Sequence, residues 1–183
     1  MSKFSRLLSI AIIVNWATFF AFASVTRSTA WSNSSASRPT PLDVDADEYA
    51  VYSVIIREKH LSRDTKLVVI NDATVKGPPV RVGGLTGGNF NPAKEVIDAY
   101  ERTRKDSEQL SARFDVPVSY LFISQKEHDA FFKNGVREGW DAFYSKYPNC
   151  DGMISFSRVG FNNSRDHAIV YFGVSSGGLC GHG

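Results

Sequence analysis

The sequence predicts an α+β domain with a mixed sheet, and three observations indicate this class. Helical periodicity alternates with short β-branched runs from about residue 45 onward, in the order αβαβαββ. The last two runs, "GMISFSRVGF" and "HAIVYFGVS", flank the turn-rich "NNSRD", which predicts a C-terminal β-hairpin. A helical stretch with several aromatic residues precedes this hairpin and gives it an apolar surface to pack on.

The first 23 residues have the pattern of a signal peptide. Lys3 and Arg6 form a basic start, "LLSIAIIVNWATFFAF" is apolar, and Ala21-Phe22-Ala23 fits the small-x-small cleavage rule. We therefore predict export to the periplasm or the extracellular space. The alternative is anchoring by an uncleaved N-terminal segment, because the apolar run is close to the length that spans a bilayer.

The export signal is separated from the folded part by a polar segment. Residues 24–44 are rich in Ser, Thr and Pro and have few apolar positions, so we expect a flexible linker. Residues 45–183 then form one α+β domain. The whole chain is 43% apolar and 13% aromatic, which is typical of a globular protein.

Leader removal changes the charge balance of the chain. Residues 1–23 contain two basic and no acidic residues, so Lys+Arg falls from 21 to 21 − 2 = 19, equal to the 19 Asp+Glu. The processed protein is therefore neutral, and its charge gives no support to nucleic-acid binding or to an anionic membrane surface. We expect no integral membrane segment after cleavage and an envelope component as a candidate partner.

The first half of the domain reads as helix, strand, loop and helix. Acidic residues in its first turn and basic ones in its last predict a helix over about 46–60. "KLVVINDAT" predicts a strand over 66–71, and the Gly- and Pro-rich residues 76–92 predict a loop. Asn91 and Pro92 then suit the start of a second helix that runs to about residue 113. Its predicted apolar stripe consists of Val96, Ile97, Tyr100, Leu110 and Phe114.

The second half supplies another strand and the aromatic helix. "VPVSYLFIS" predicts a strand, and Ser124 with Glu127 has capping-box spacing for a helix over 125–147. Gly135 and Gly139 weaken that helix, so we expect them to permit close packing. Its predicted apolar face consists of Phe132, Val136, Trp140, Phe143 and Tyr147.

The C-terminal third also resembles a group of uncharacterised exported bacterial proteins. The matching stretches are "GWDAFYSKYPNCDGMISFSRVGFN", "HAIVYFG" and "GGLCGHG". The group shares a Trp-x-x-Phe-Tyr-x-x-Tyr-Pro stretch, Ser-Arg-Val-Gly-Phe-Asn, and a Cys-Gly-x-x-Cys-Gly-x-Gly turn. The resemblance covers residues 139–183 well and 48–183 loosely, and it implies no particular activity.

Two departures from that group concern the C-terminal turn. Ser176 stands where the group has the first cysteine of the turn, so Cys180 has only Cys150 as a disulfide partner within the chain. Members of the group continue into another strand, and a glycine-rich turn after a strand normally brings a partner strand back. We therefore expect that the domain lacks a closing strand and is truncated at its C-terminus.

Cys180 and His182 are the candidate catalytic residues. Side chains two apart share a face in extended chain, and a thiolate beside an imidazole is a nucleophile. The competing interpretation is a disulfide between Cys150 and Cys180, the usual state of cysteines in exported proteins. Closing that loop would contribute about 3 to 4 kcal/mol.

Arg158 is the candidate binding residue. In the strand "SFSRVGF" it shares a face with Ile154 and Phe156, so a charge lies among large apolar side chains. It either extends past Phe156 to the sheet rim, pairs with Glu138 or Asp141 on the preceding helix, or contacts a ligand. Support of the fold is the interpretation that we prefer.

We predict neither a metal nor a cofactor. The four histidines, His60, His128, His167 and His182, never approach a standard ligand spacing with the cysteines. "RVGGLTGGNF" lacks both the P-loop and the dinucleotide-binding fingerprints, so we interpret it as a loop. The function expected from the sequence is a binding or envelope-associated module; the alternative is a thiol-dependent hydrolase that uses Cys180 and His182.

Overall fold

The computed structural model describes residues 44–80 and 92–177 with their side chains, and residues 6–14 and 19–27 as backbone. Of the predicted leader, residues 6–14 and 19–23 are described as backbone, and most of the predicted linker lies outside the described residues. In chain order the elements are β1 (Arg6–Val14), β2 (Phe19–Arg27), α1 (Ala46–Ile55), β3 (Leu67–Asn71), α2 (Lys94–Thr103), β4 (Ser119–Ile123), α3 (Gln125–Phe132), α4 (Val136–Lys146), β5 (Cys150–Phe156), β6 (Gly160–Phe161) and β7 (His167–Ser175). A π-helical turn, Ile56–His60, continues α1.

Strands β3 to β7 form an open mixed sheet. Their order is β4-β3-β5-β7, and β6 also pairs with β7. β3 is parallel to β4 and β5, whereas β7 runs antiparallel to β5 and β6. The α+β class, the mixed sheet and the C-terminal hairpin predicted from the sequence are confirmed. The backbone of β1 lies parallel to β7 on the side away from β5.

The alternation of side chains along the strands gives the sheet two apolar faces. On one face, α1 packs with residues of β3, β5 and β7: Val68, Ile70, Ile154, Phe156, Ala168, Val170 and Phe172. On the other face, α4 packs against Val69, Ile123 and Met153. α2 covers Ile169 of β7 with Val96 and Tyr100. The domain therefore has three layers, with the sheet in the middle.

α1 is buried on nearly all sides. It begins at a capping box in which the Asp45 carboxylate accepts from the backbone N–H of Glu48 at 2.9 Å. Leu110 and Phe114, from the segment after α2, pack in the same apolar cluster, and the Phe114 ring contacts Tyr49 of α1 and Tyr120 of β4. The Tyr52 ring stacks on Phe156 with the ring centroids 4.5 Å apart. α1 is thus the helix on which one half of the core is built.

α2 ends at Thr103, ten residues before the end predicted from the sequence. Beyond it the chain turns back along the segment that follows β3. The N–H of Thr74 donates to the carbonyl of Glu108 at 2.8 Å, and the N–H of Leu110 donates to Asp72 at 2.7 Å. This pairing replaces the helical hydrogen bonds. Leu110 consequently packs on α1 instead of extending the stripe of α2.

The aromatic helix predicted over 125–147 is two helices, α3 and α4. Gly135 lies between them with φ at +135°, a backbone angle that other residues rarely adopt. The break leaves Val136 71% exposed, so its predicted place on the buried face is wrong. A Cβ on Gly139 would overlap the Phe132 ring, so the expectation that this glycine permits close packing is confirmed. In the described ranges, no helix has both the length and the apolar character needed to cross a membrane.

Trp140 is 9% exposed and contacts Phe143 and Tyr144, so we expect Trp140→Ala to destabilise the domain by about 3 to 5 kcal/mol through the cavity that it leaves. Denaturant unfolding followed by circular dichroism measures the change. Val136→Ala on the same helix is the matched control and should change the stability by less than about 0.5 kcal/mol. Equal effects of the two substitutions would contradict this placement of α4.

Candidate functional site

A β-bulge in the hairpin sets the position of Arg158. The N–H of Ser157 donates to the carbonyl of Tyr171 at 3.0 Å, and Gly160 pairs with Ile169. Arg158 and Val159 therefore both lie opposite one residue of β7, Val170. Such an extra residue bends the strand and changes the direction of nearby side chains. Here the bulge brings Arg158 to the start of α1.

Arg158 forms a buried ion pair with Glu48. Its Nη2 donates to Glu48 Oε1 at 2.8 Å, and its Nε donates to Oε2 at 3.0 Å. The guanidinium edge thus meets both carboxylate oxygens, the strongest geometry for this pair. The side chains are only 11% and 4% exposed, so screening by water and salt is weak. The pair joins α1 to the hairpin across 110 residues of sequence.

Further donors satisfy the Glu48 carboxylate. The backbone N–H of Val159 donates to Oε2 at 2.9 Å. The Tyr52 hydroxyl lies 3.2 Å from the same oxygen and 2.8 Å from the carbonyl of Ser157. Burial raises the pKa of Tyr52 well above its ordinary value, and the Glu48 charge adds to the effect. This phenol is therefore a neutral hydrogen-bond donor at pH 7.

The guanidinium of Arg158 remains charged in this setting. Burial works to lower its pKa, but the hydrogen bonds and the charge of Glu48 raise it above the ordinary value. Glu108 adds a second carboxylate, with its Oε1 3.9 Å from Nη1. Because Arg158 is engaged by acids on two separate segments, the geometry fits the preferred interpretation from the sequence, support of the fold.

The acid that pairs with Arg158 is not one of those predicted from the sequence. Glu138 and Asp141 lie on α4, which packs on the opposite face of the sheet from α1. Arg158 follows Ile154 and Phe156 on the α1 face, so α1 supplies its partner. Glu48 was missed, although the Asp45-x-x-Glu48 spacing of a capping box is visible in the sequence.

A second arginine from the hairpin also holds the start of α1. Arg165, in the turn between β6 and β7, places Nη2 2.5 Å from Asp45 and Nε 2.7 Å from Asp47. Acidic side chains are favoured at a helix N-terminus by the helix dipole. The hairpin thus contributes two arginines to three acids at one end of α1. We call this cluster of two arginines and three acids the clamp, because it joins the start of α1 to the C-terminal hairpin.

Cys150 lies on the other side of the sheet. It is buried at the start of β5, and its Sγ donates to the carbonyl of Tyr147 at 3.0 Å. Gly177, the last described residue, donates its N–H to the Tyr144 hydroxyl at 3.3 Å and packs against the Trp140 ring. Cys150 and Gly177 therefore both contact α4 or its end. Cys180 and His182 lie outside the described residues, so their predicted roles stay predictions.

His60 and Asp151 form a polar site near the start of β5, on the α1 face. His60 is 8% exposed and meets the Phe172 ring edge-on, with the centroids 6.3 Å apart. Burial lowers its pKa, so the ring is neutral at pH 7. Its Nε2 has no hydrogen-bond partner in the described part of the chain. Asp151 accepts a hydrogen bond from Thr65 instead. Sequence spacing gave no signal for the burial of His60.

The outer edge of β7, on the side away from β5, is defined by its backbone pattern. On the inner side, the carbonyls of His167 and Tyr171 accept from Asn162 and Ser157 at 3.1 and 3.0 Å. Backbone polar groups of successive strand residues point to alternate sides. Ala168, Val170 and Phe172 therefore direct their N–H and C=O groups outward. Their register partners on that side are the β1 residues.

The comparisons with known proteins give no relative for this chain. No family model, no curated protein and no solved structure matches it. Within residues 44–80 and 92–177, no group of three or more His, Cys, Asp and Glu side chains is placed to hold a metal ion. The "RVGGLTGGNF" segment lies almost entirely outside the described residues. The candidate functional features are therefore the clamp, the Cys150 region and the outer edge of β7.

Removing the charge of Glu48 should destabilise the domain strongly. Glu48→Gln leaves the Arg158 guanidinium buried without its carboxylate, which typically costs about 3 to 5 kcal/mol. Chemical denaturation at pH 7 measures the loss. Asp141→Asn, at an exposed acid that the sequence offered as the partner, is the matched control and should change the stability by less than about 0.5 kcal/mol. A Glu48→Gln protein as stable as this control would refute the structural role of the pair.

Proposed function

We propose that this protein is an exported binding module that accepts an extended polypeptide segment at the outer edge of β7. The observation that carries the proposal is the outward set of backbone groups at Ala168, Val170 and Phe172. Unpaired strand edges bind other chains by adding a strand, with backbone hydrogen bonds giving affinity. An envelope-associated partner is consistent with the predicted export.

The composition of β7 suits strand addition. From Ala168 to Ser175 the strand has no charged residue and no proline, the features that usually protect an edge from pairing. Residues next to the edge are apolar on both faces, with Val170 toward α1 and Ile169 toward α2. An incoming strand would therefore gain backbone hydrogen bonds together with apolar contacts above and below the sheet.

The predicted leader explains how the edge becomes available. In the structure, β1 pairs with residues 167–172 of β7. The whole of β1 lies within residues 1–23. Cleavage after Ala23 would remove β1 and free the outward groups of β7. A strand that occupies this edge in the unprocessed chain also supports the idea that the edge accepts an extended segment.

A thiol-dependent hydrolase is the alternative from the sequence, and the Cys150 region favours a disulfide over it. Gly177 and Cys150 both lie at α4, and three further residues of extended chain span about 10 Å. We therefore propose that Cys180 is bonded to Cys150. Its formation transfers two electrons and two protons from the thiols to a disulfide-type oxidant of the exported compartment.

Backbone hydrogen exchange tests the proposed edge. The protein is recovered from the exported fraction, and N-terminal sequencing should show a start at Ser24. In dilute solution, we expect the amides of Ala168, Val170 and Phe172 to exchange at least about tenfold faster than those of Ile169 and Tyr171. The N–H of Tyr171 donates to the Ser157 hydroxyl, and Ile169 pairs with Gly160 of β6, whereas the even-numbered amides point outward. Amide-resolved NMR measures the rates.

Two results would overturn the proposed function. One is an N-terminus at Met1, since β1 would then remain available to cover β7. The other is equal protection of odd- and even-numbered amides from Ala168 to Phe172 in the dilute, processed protein. That pattern would mean that another part of the same chain covers the edge.

Thiol titration tests the disulfide. We expect no free thiol in the denatured, unreduced protein and two after reduction, because both cysteines are consumed by one bond. Cys180→Ser should then expose one thiol and lower the stability by about 3 to 4 kcal/mol. A fast-reacting thiol in the native, unreduced protein would instead support the thiol enzyme.

A further inference from the structure

The outer edge of β7 also has features that select one kind of partner. We propose that its occupant in the processed protein is the outer edge of β7 in a second copy of this chain. The two strands would run antiparallel about a twofold axis at Val170. The inference rests on the proposed function, since it names the partner of the same edge.

The register of such a pair follows from the outward groups. With Val170 opposite Val170 of the second copy, Ala168 lies opposite Phe172, and Phe172 opposite Ala168. All three positions direct their N–H and C=O groups outward, so each opposed pair can exchange two hydrogen bonds. The pairing is self-complementary, as a twofold interface requires. No residue of either strand needs to change its inner pairing with β5 or β6.

In this register, electrostatic repulsion does not oppose the pairing of the two strands. The only charged or titratable residues at this end of β7 are Asp166 and His167, and they would lie opposite Val174 and Gly173 of the second copy. No like charges oppose each other, an arrangement that would destabilise a strand pair. Two copies also carry no net repulsion, because the processed chain has 19 basic and 19 acidic residues after the loss of Lys3 and Arg6.

The layers of the domain continue across the proposed interface. On one face, Val170 and Phe172 lie in the α1 core; on the other, Ile169 packs under α2. A second copy supplies the same residues beside them, so both apolar layers extend from one protomer to the next. A polar extended peptide would match the backbone of the edge but not these two apolar layers.

The test uses the processed, full-length protein and measures its mass in solution. Sedimentation equilibrium should give a dimer at high concentration and a monomer on dilution. Over the same range, exchange of the Ala168, Val170 and Phe172 amides should slow by at least about tenfold, while the Ile169 and Tyr171 amides stay unchanged. This pairing of mass with alternate amides identifies the edge as the interface.

A backbone variant makes the test specific. Ala168→Pro removes one outward N–H from each protomer, and the position does not donate within the sheet, where proline is tolerated on edges. Two lost hydrogen bonds per dimer should raise the dissociation constant about tenfold or more. Ala168→Gly keeps the N–H and is the control, expected to dimerise as the parent does. Circular dichroism checks that both variants fold.

The outcomes separate the two proposals. A monomer at all concentrations with fast even-numbered amides would overturn the dimer and leave the binding edge in place. A monomer with protected even-numbered amides would overturn both. A dimer that is unaffected by Ala168→Pro and that leaves those amides unprotected would place the interface elsewhere and also overturn this inference.

Discussion

The buried ion pair between Glu48 and Arg158 joins α1, the first helix of the domain, to the C-terminal hairpin. Removing two charges from water is costly, and only well-placed hydrogen bonds offset that cost. Glu48 meets this condition because Arg158, Val159 and Tyr52 all direct donors at its carboxylate. The same glutamate belongs to the capping box of α1. One carboxylate therefore sets both the start of the helix and the position of the hairpin beneath it.

The bulge that positions Arg158 lies opposite Val170 of β7. By inserting one extra residue opposite Val170, it lets the inner side of β7 pair with β5 and then with β6 along its whole length. Because the backbone groups of an extended strand point to alternate sides, the odd-numbered residues of β7 face β5 and β6 throughout. The even-numbered residues face the other side, where β1 pairs with them.

The sequence was a good guide to local elements and a poor one to what they contact. The period-two pattern put Arg158 on the face of Ile154 and Phe156, and in the structure its guanidinium reaches Glu48 of α1, which covers that face, from a bulge beyond the end of β5. The pattern could not say whether α1 or α4 covers that face, because the layer of a helix depends on the crossovers between strands. Likewise, Leu110 fits a helical stripe, but its N–H pairs with Asp72, a contact across the chain that no local pattern contains.

The helix break at Gly135 is a second feature that the local sequence pattern could not predict. The low helix propensity of this glycine was visible, yet only the backbone angle of +135° shows that it separates α3 from α4. A helical period that continues through this break places Val136 on the buried face, whereas the break leaves it exposed. The leader, the linker and the C-terminal turn were predicted from composition and short motifs, and these predictions do not depend on the fold.

In the described part of the chain, the sheet separates the thiol of Cys150 from the imidazole of His60. Cys150 lies in the cluster under α4, whereas His60 lies against Phe172 on the α1 face. Asp151 follows Cys150 directly, but its carboxylate accepts from Thr65 on the His60 side. A thiol and an imidazole on opposite faces of a sheet cannot share a proton. The arrangement of Cys150 and His60 therefore serves packing in two different layers, and the backbone edge of β7 is the feature better placed to meet a partner.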